Sequence, residues 1–280
     1  MKDRKKIKSI LYHLIVITFS YVMIYPLLWM FFSSFKDNSE IFRYAHILLP
    51  QRFNFENFLI GWRGFGGISF SVFFRNSFIL SIIGTLGAVL SSALVAYGFS
   101  RNKFKGKKIW FGFMIATMLL PYQVVMIPQY IMFNRFGWVN TFKPLLVPSF
   151  FGQPFFIFLI IQFIRGIPIE LDEAAKIDGC SKYSIFFKII LPLITPALIT
   201  ATILSFLWRW DDFLGPLIYL NRPTLYPVSL ALRMFADPSA ISNWGAMFSM
   251  ATLSIIPGLL IFIFFQRYLI EGIIATGIKG

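Results

Sequence analysis

At 280 residues the chain could form one large soluble domain or two small ones, yet only 14% of it is charged, against roughly 25% in ordinary globular chains. Hydrophobic residues make up 57% and aromatics 19%, and the 26 basic and 12 acidic residues avoid six long stretches. That pattern excludes a soluble enzyme, a disordered chain and a barrel of short alternating strands. The net charge of +14 comes without a basic stripe interleaved with aromatics, so it does not point to nucleic acid.

In chain order the uncharged stretches are 9–35, 76–100, 109–134, 144–164, 189–208 and 238–266, between 20 and 29 residues each. About 20 residues carry an α-helix across roughly 30 Å of hydrocarbon. The expected fold class is an all-α membrane protein with six transmembrane helices, the whole of 1–280 forming one membrane domain. Segments 1–8, 101–108, 165–188 and 267–280 carry 16 Lys and Arg in 54 residues, whereas 36–75, 135–143 and 209–237 carry 10 in 78. The denser set is expected inside, with both termini cytoplasmic. This gives a cytoplasmic 1–8, an external loop 33–75, a cytoplasmic loop 165–195, an external loop 221–243 and a cytoplasmic tail 267–280. The first stretch exceeds the core of a signal peptide and has no small-x-small cleavage site before Lys36, so an uncleaved first helix is expected.

Within the second stretch Gly84, Ala88, Ser92 and Ala96 recur every four positions, a small-residue stripe that lets helices approach closely in lipid. The third stretch is interrupted by Pro121 and Pro128 beside Gln123 and Gln129, the fourth by Pro148 and Pro154 around Gln153. Broken helices at membrane depth are tolerated where protein or water satisfies the freed backbone, as along a transport route. Gln123, Gln153 and Asn243 are therefore candidate pathway residues, as are Arg209 and Asp212, which could form an i,i+3 ion pair after the fifth stretch. The runs themselves hold no carboxylate, which argues against a carrier driven by an ion gradient.

Cys180 is the single cysteine, and His13 and His46 lack partners at metal or triad spacing. No Gly-x-x-x-x-Gly-Lys-Ser/Thr phosphate loop occurs; the Gly106-Lys107 pair lacks the earlier glycine. The chain is expected to be non-enzymatic, with no metal and no cofactor of its own.

Loop 165–195 departs from its basic neighbours, balancing four positive residues against Glu170, Asp172, Glu173 and Asp178. Pro168, the acids that follow and Gly179 spell a short helix with a start, a complemented dipole and a stop. A second amphipathic stretch, 182–190, is expected to put Tyr183, Phe186, Phe187 and Ile190 on one face. Together they suggest a plug for a groove on a partner protein.

Here Glu173-Ala174-Ala175-x-x-x-Gly179-x9-Ile189-x-Leu191-Pro192 resembles the extended EAA loop of permease subunits of ATP-binding-cassette importers. The run 206–213 looks like the aromatic-acid signature of the carbohydrate-importing branch, with Asp211-Asp212 where Asn-Asp is commoner. The tail 272–280 is similar to that branch's ending in the maltose-type second permease, though Ala275-Thr276 replaces the usual Ala-Gly. The resemblance implies a type I importer transmembrane domain in the bacterial inner membrane. It also implies a second related permease, two cytoplasmic ATP-binding subunits and an external solute-binding protein that delivers a sugar. Carried over, Glu173, Ala174, Ala175, Asp178 and Gly179 would contact the ATPase. Asn221, Arg222, Arg233 and Asp237 would lie on the loop facing the binding protein, and the tail would approach the ATPases.

Overall fold

A computed structural model describes residues 2–235 and 243–277, with side chains from 5 to 268. Among the described residues the regular structure is helical, apart from an isolated bridge between Phe65 and Ile68. In order the helices are α1 (Lys2–Ser33), α2 (Asn38–Arg43), α3 (Glu56–Arg63), α4 (Phe70–Arg101), α5 (Lys107–Met118), α6 (Tyr122–Arg135), α7 (Lys143–Leu146) and α8 (Pro154–Arg165). Then come α9 (Glu170–Ile177), α10 (Lys182–Ile185), α11 (Leu191–Leu193), α12 (Thr195–Trp210), α13 (Leu214–Tyr219), α14 (Val228–Phe235) and α15 (Trp244–Gly277).

Four stretches are long and apolar enough to cross a membrane: Lys5–Ser33, Phe70–Arg101, Lys143–Arg165 and Trp244–Tyr268. Two more pass only as bent pairs, α5 with α6 at 100° and 182–193 with α12 at 76°. The first bend sits at Pro121, the second between Pro192 and Pro196. Each proline removes an amide donor and crowds the preceding turn. Pro128, by contrast, lies inside α6 without ending it.

The chain divides into two units, the first made of Met1–Ser71 with Leu232–Ile256. Its interior is an aromatic and polar knot rather than an aliphatic core. Phe35 stacks edge-on against Phe53 and Phe55, at 5.6 and 5.3 Å between centroids, and Trp29 meets Phe248 at 5.3 Å. Asn57, buried, donates to the carbonyls of Ser34 and Lys36 at 2.9 and 2.8 Å, and Ser249 donates to Ser34 at 3.0 Å. Lys36 is itself buried and donates to the Ile47 carbonyl. Burial pushes its ammonium below the ordinary lysine range, against the upward pull of Glu40. Asn243, a candidate pathway residue in the sequence, lies at the start of α15. Its Oδ1 accepts from Ala246 N at 3.0 Å and so caps α15.

The second unit is Val72–Ala231 with Pro257–Gly280. Gly84, Ala88, Ser92 and Ala96 all lie buried along α4, as the four-residue spacing predicts. Ala88 packs with Phe156 of α8 and Ala201 of α12. Ala96 belongs to a larger cluster with Ile160, Ile161, Ile164, Ile190 and Ile194. Because lipid offers apolar surroundings too, such cores gain from close packing more than from leaving water, which is what small residues permit.

The Lys143–Arg165 stretch is broken where Gly152 takes φ +84° and Gln153 is extended. The interrupted backbone is repaired from α4. Gly152 N donates to Ser91 Oγ at 3.0 Å, Gln153 N donates to Ser92 Oγ at 2.9 Å, and Ser91 Oγ reaches the Ser149 carbonyl at 3.1 Å.

Candidate functional site

The break in Lys143–Arg165 and the bends beside α6 and α12 leave a polar cleft of about 650 Å³. Its lining includes Tyr122, Gln129, Gln153, Arg209, Asp212 and Tyr219, with Trp208 on its wall. Three of the sequence-expected pathway residues, Gln153, Arg209 and Asp212, thus meet around one space. Gln123 does not: it is exposed and outside the lining, while Gln129, two turns along α6, takes a place there. Tyr122 and Tyr219 carry no such signal in the sequence, where aromatics make up 19% of the chain.

Arg209 reaches the cleft across Gly84. A Cβ at Gly84 would lie 2.6 Å from Arg209 Nη1 and 2.9 Å from Cζ, so the missing side chain is the guanidinium's seat. Arg209 directs Nε toward Ser205 Oγ and Nη1 toward the Leu145 carbonyl, each at 3.4 Å. Asp212 turns the other way and accepts from Gly215 N at 3.1 Å. Among the described residues the ion pair expected between them is not formed. The helix ends at Trp210, and the chain beyond it no longer keeps the i,i+3 register that such a pair needs.

The segment after α13 is anchored from two sides. Asn140, the one non-glycine residue with positive φ (62°) among the described residues, accepts at Oδ1 from the amides of Asn221 and Arg222, each at 3.1 Å. Asn76 of α4 donates to the carbonyls of Thr224 and Tyr226 at 2.9 and 3.0 Å, and Val228 N donates to Ser77 Oγ at 2.8 Å. Asn221 and Arg222 are exposed on this braced segment and Arg233 is exposed on α14. Asp237 lies outside the described residues. Asn140→Gly keeps the backbone but removes the acceptor. The amides of residues 221 and 222 are then expected to exchange with deuterium roughly tenfold faster, measured by mass spectrometry on the purified protein.

In segment 165–195 the first helix, α9, forms as the sequence predicts. α9 closes in a Schellman turn: Cys180 N bonds the Ala175 carbonyl at 2.9 Å, Gly179 N bonds Lys176 O at 3.1 Å, and Gly179 adopts φ +81°. Within this turn Glu173, Ala174, Asp178 and Gly179 are exposed, and Ile177 is 87% exposed. Ala175 points inward and joins the core with Ile185 and Phe186. The expected face of the second stretch is also different. Phe186 and Ile190 are buried together with Ile185, whereas Tyr183 and Phe187 are exposed. Residues 186–190 form a π-turn, so the wider turn rather than a 3.6 period decides which side chains enter the core.

One buried charge pair was not legible as such. Asp172, 2% exposed, faces Arg101, 9% exposed, with Nε to Oδ1 at 3.4 Å. Arg101 also donates through Nη2 to the Ile167 carbonyl at 2.8 Å.

Residues 88–274, which hold the serine-braced break, the cleft and α9, match the family described as binding-protein-dependent transport system inner membrane component. The probable ABC transporter permease protein YurM of Bacillus subtilis is 35% identical over 257 residues, 91% of this chain and 84% of that protein. The arabinooligosaccharides transport system permease protein AraQ of Halalkalibacterium halodurans is 31% identical over 282 residues, 99% of this chain and all of the other. A solved structure of a bacterial ABC transporter involved in the import of the acidic polysaccharide alginate shares the fold. Its TM-score is 0.84 over 94% of this chain and 96% of that chain, at 20% identity. The chain thus belongs to the family of binding-protein-dependent transport system inner membrane components, as a multi-pass permease subunit that serves transport and not catalysis.

Proposed function

We propose that this chain is one of two related permeases in an ATP-driven importer of a sugar or oligosaccharide, and that it forms half of the translocation pathway. As a type I importer domain it crosses the membrane six times, each bent pair counting as one crossing. Both termini and loop 165–195 face the cytoplasm, in keeping with the denser basic segments. Two ATP-binding subunits drive it, and an external solute-binding protein presents cargo to the braced 221–226 segment and Arg233.

The observation that carries this reading is α9. Its inner side, Asp172 and Ala175, is held by the chain, while its outer side offers Glu173, Ala174 and the apolar tip Ile177 beside Asp178 and Gly179. A short helix fixed from behind and exposed in front suits docking into a cleft on an ATPase subunit. ATP binding would draw the ATPases together, the helix would carry that closure to the spans, and hydrolysis would reset it. The cleft supports a sugar as cargo, since the aromatic side chains of Trp208 and Tyr122 line it together with Gln129, Gln153, Arg209 and Asp212, which offer hydrogen bonds. The arabinooligosaccharide and alginate transporters among its similar proteins support it as well.

Glu173→Arg is the decisive variant, because the residue is exposed and its reversal does not disturb the core. ATP-driven uptake by the reconstituted complex is expected to fall by about thirtyfold, the effect of roughly 2 kcal/mol at a docking contact. Unchanged uptake, with the complex intact by size-exclusion chromatography, would sink the coupling role.

A further inference from the structure

We propose that Arg101 and Asp172 are positioning residues that lock α9 to the end of α4, so that both helices move as one body between the ATPases and the cleft. The inference rests on the coupling reading of α9.

Three polar contacts and one ring contact join the C-terminal end of α4 to the loop. Arg101 pairs with Asp172 and donates to Ile167 O, and the Tyr97 hydroxyl donates to Lys182 O at 3.2 Å with its ring 5.1 Å from that of Phe186. Neither Arg101 Nε nor Asp172 Oδ1 makes a hydrogen bond, so these two buried atoms meet as opposite charges alone, 3.4 Å apart. A buried ion pair is a poor source of stability, because well-packed apolar residues serve as well. What it supplies is a fixed relative placement, since separating the pair leaves two uncompensated charges.

The other end of the lever is on the same helix. Gly84 seats Arg209 of the cleft, and the 17 residues from Gly84 to Arg101 extend about 25 Å at the α-helical rise. No proline interrupts them, whereas α5–α6 and 182–210 are bent by 100° and 76°. Displacement of α9 therefore reaches Arg209 through one straight element.

Spin labels at Ile177→Cys and Leu94→Cys, both exposed, in a Cys180→Ser background of the assembled transporter, test this by pulsed distance measurement. The distance is expected to change by less than about 2 Å between the nucleotide-free and ATP–vanadate states, a shift within packed elements. Asp172→Asn should broaden that distribution and lower stimulation of ATP hydrolysis by the cognate binding protein by about fivefold or more, with basal hydrolysis kept. Asp172→Glu should restore most of the stimulation. A merely structural pair would lower the yield of complex but leave stimulation per assembled complex unchanged, and that result overturns the inference. So does a wild-type distance that changes by several ångströms while Ile177→Cys cross-links to an ATPase subunit. Failure of that cross-link overturns the coupling reading itself, and the inference with it.

Discussion

Gly64→Ala is expected to destabilise the protein by about 3 kcal/mol or more, seen as a thermal unfolding midpoint lowered by roughly 6–12 °C. Gly64 ends α3 with φ 75° and ψ −146°, a region closed to residues with a Cβ. A Cβ there would stand 1.9 Å from the Ile68 carbonyl oxygen, and the atom cannot step aside. That oxygen accepts from Phe65 N at 3.3 Å in the bridge that returns the chain toward α4. Gly66 is the internal control: its φ is also positive, at 58°, but a Cβ would meet nothing within 4 Å. Gly66→Ala should therefore cost only the left-handed penalty of about 1–2 kcal/mol. Equal losses at the two positions, measured by thermal unfolding in detergent or nanodiscs, would contradict the steric account.

The second large effect is on transport. Gly84→Val should leave the protein folded, because the group it strikes is the far end of an arginine side chain, but Arg209 should leave its seat. Uptake is expected to drop at least tenfold, the equivalent of about 1.4 kcal/mol. Arg209→Ala should do the same. If both act by emptying the same part of the cleft, the double variant should be little worse than either alone, since substitutions that remove one shared group do not add. Additive losses would mean that Gly84 serves helix packing and that Arg209 acts independently of it.

How much of this was readable beforehand follows from the distance over which each feature is encoded. The stripe Gly84, Ala88, Ser92, Ala96 and the Gly179 stop are local, set by helical period and backbone sign, and both hold. Pro121 likewise marks a real bend, Pro128 shows that a proline alone does not decide one, and the bend before α12 had not been read from its prolines. The 182–190 face failed because a π-turn shifts the phase of the period used to read it, leaving Tyr183 and Phe187 outside. Asp172 was one of four acids in its loop, and only folding selects it by bringing Arg101 alongside. Asn76, Ser77 and Asn140 were silent for the same reason: their partners at 221–228 lie far along the chain. Gln153, Arg209 and Asp212 were visible because a polar group next to an apolar run is rare, yet nothing local separates Gln123 from Gln129.

The two sides of α4 differ in how many residue types each position can hold. On the packed side Gly84 and Gly87 have arginine and phenylalanine atoms within 3.0 Å of a would-be Cβ, and Ser91 and Ser92 each carry a hydrogen bond that an alanine could not make. On the outer side Leu86, Leu90 and Leu94 are about half exposed and need only be soluble in lipid. A saturation library of this helix should therefore recover nearly any apolar residue at the three leucines and almost a single letter at the glycines. The helix would read as two interleaved texts, one tightly spelled and one free.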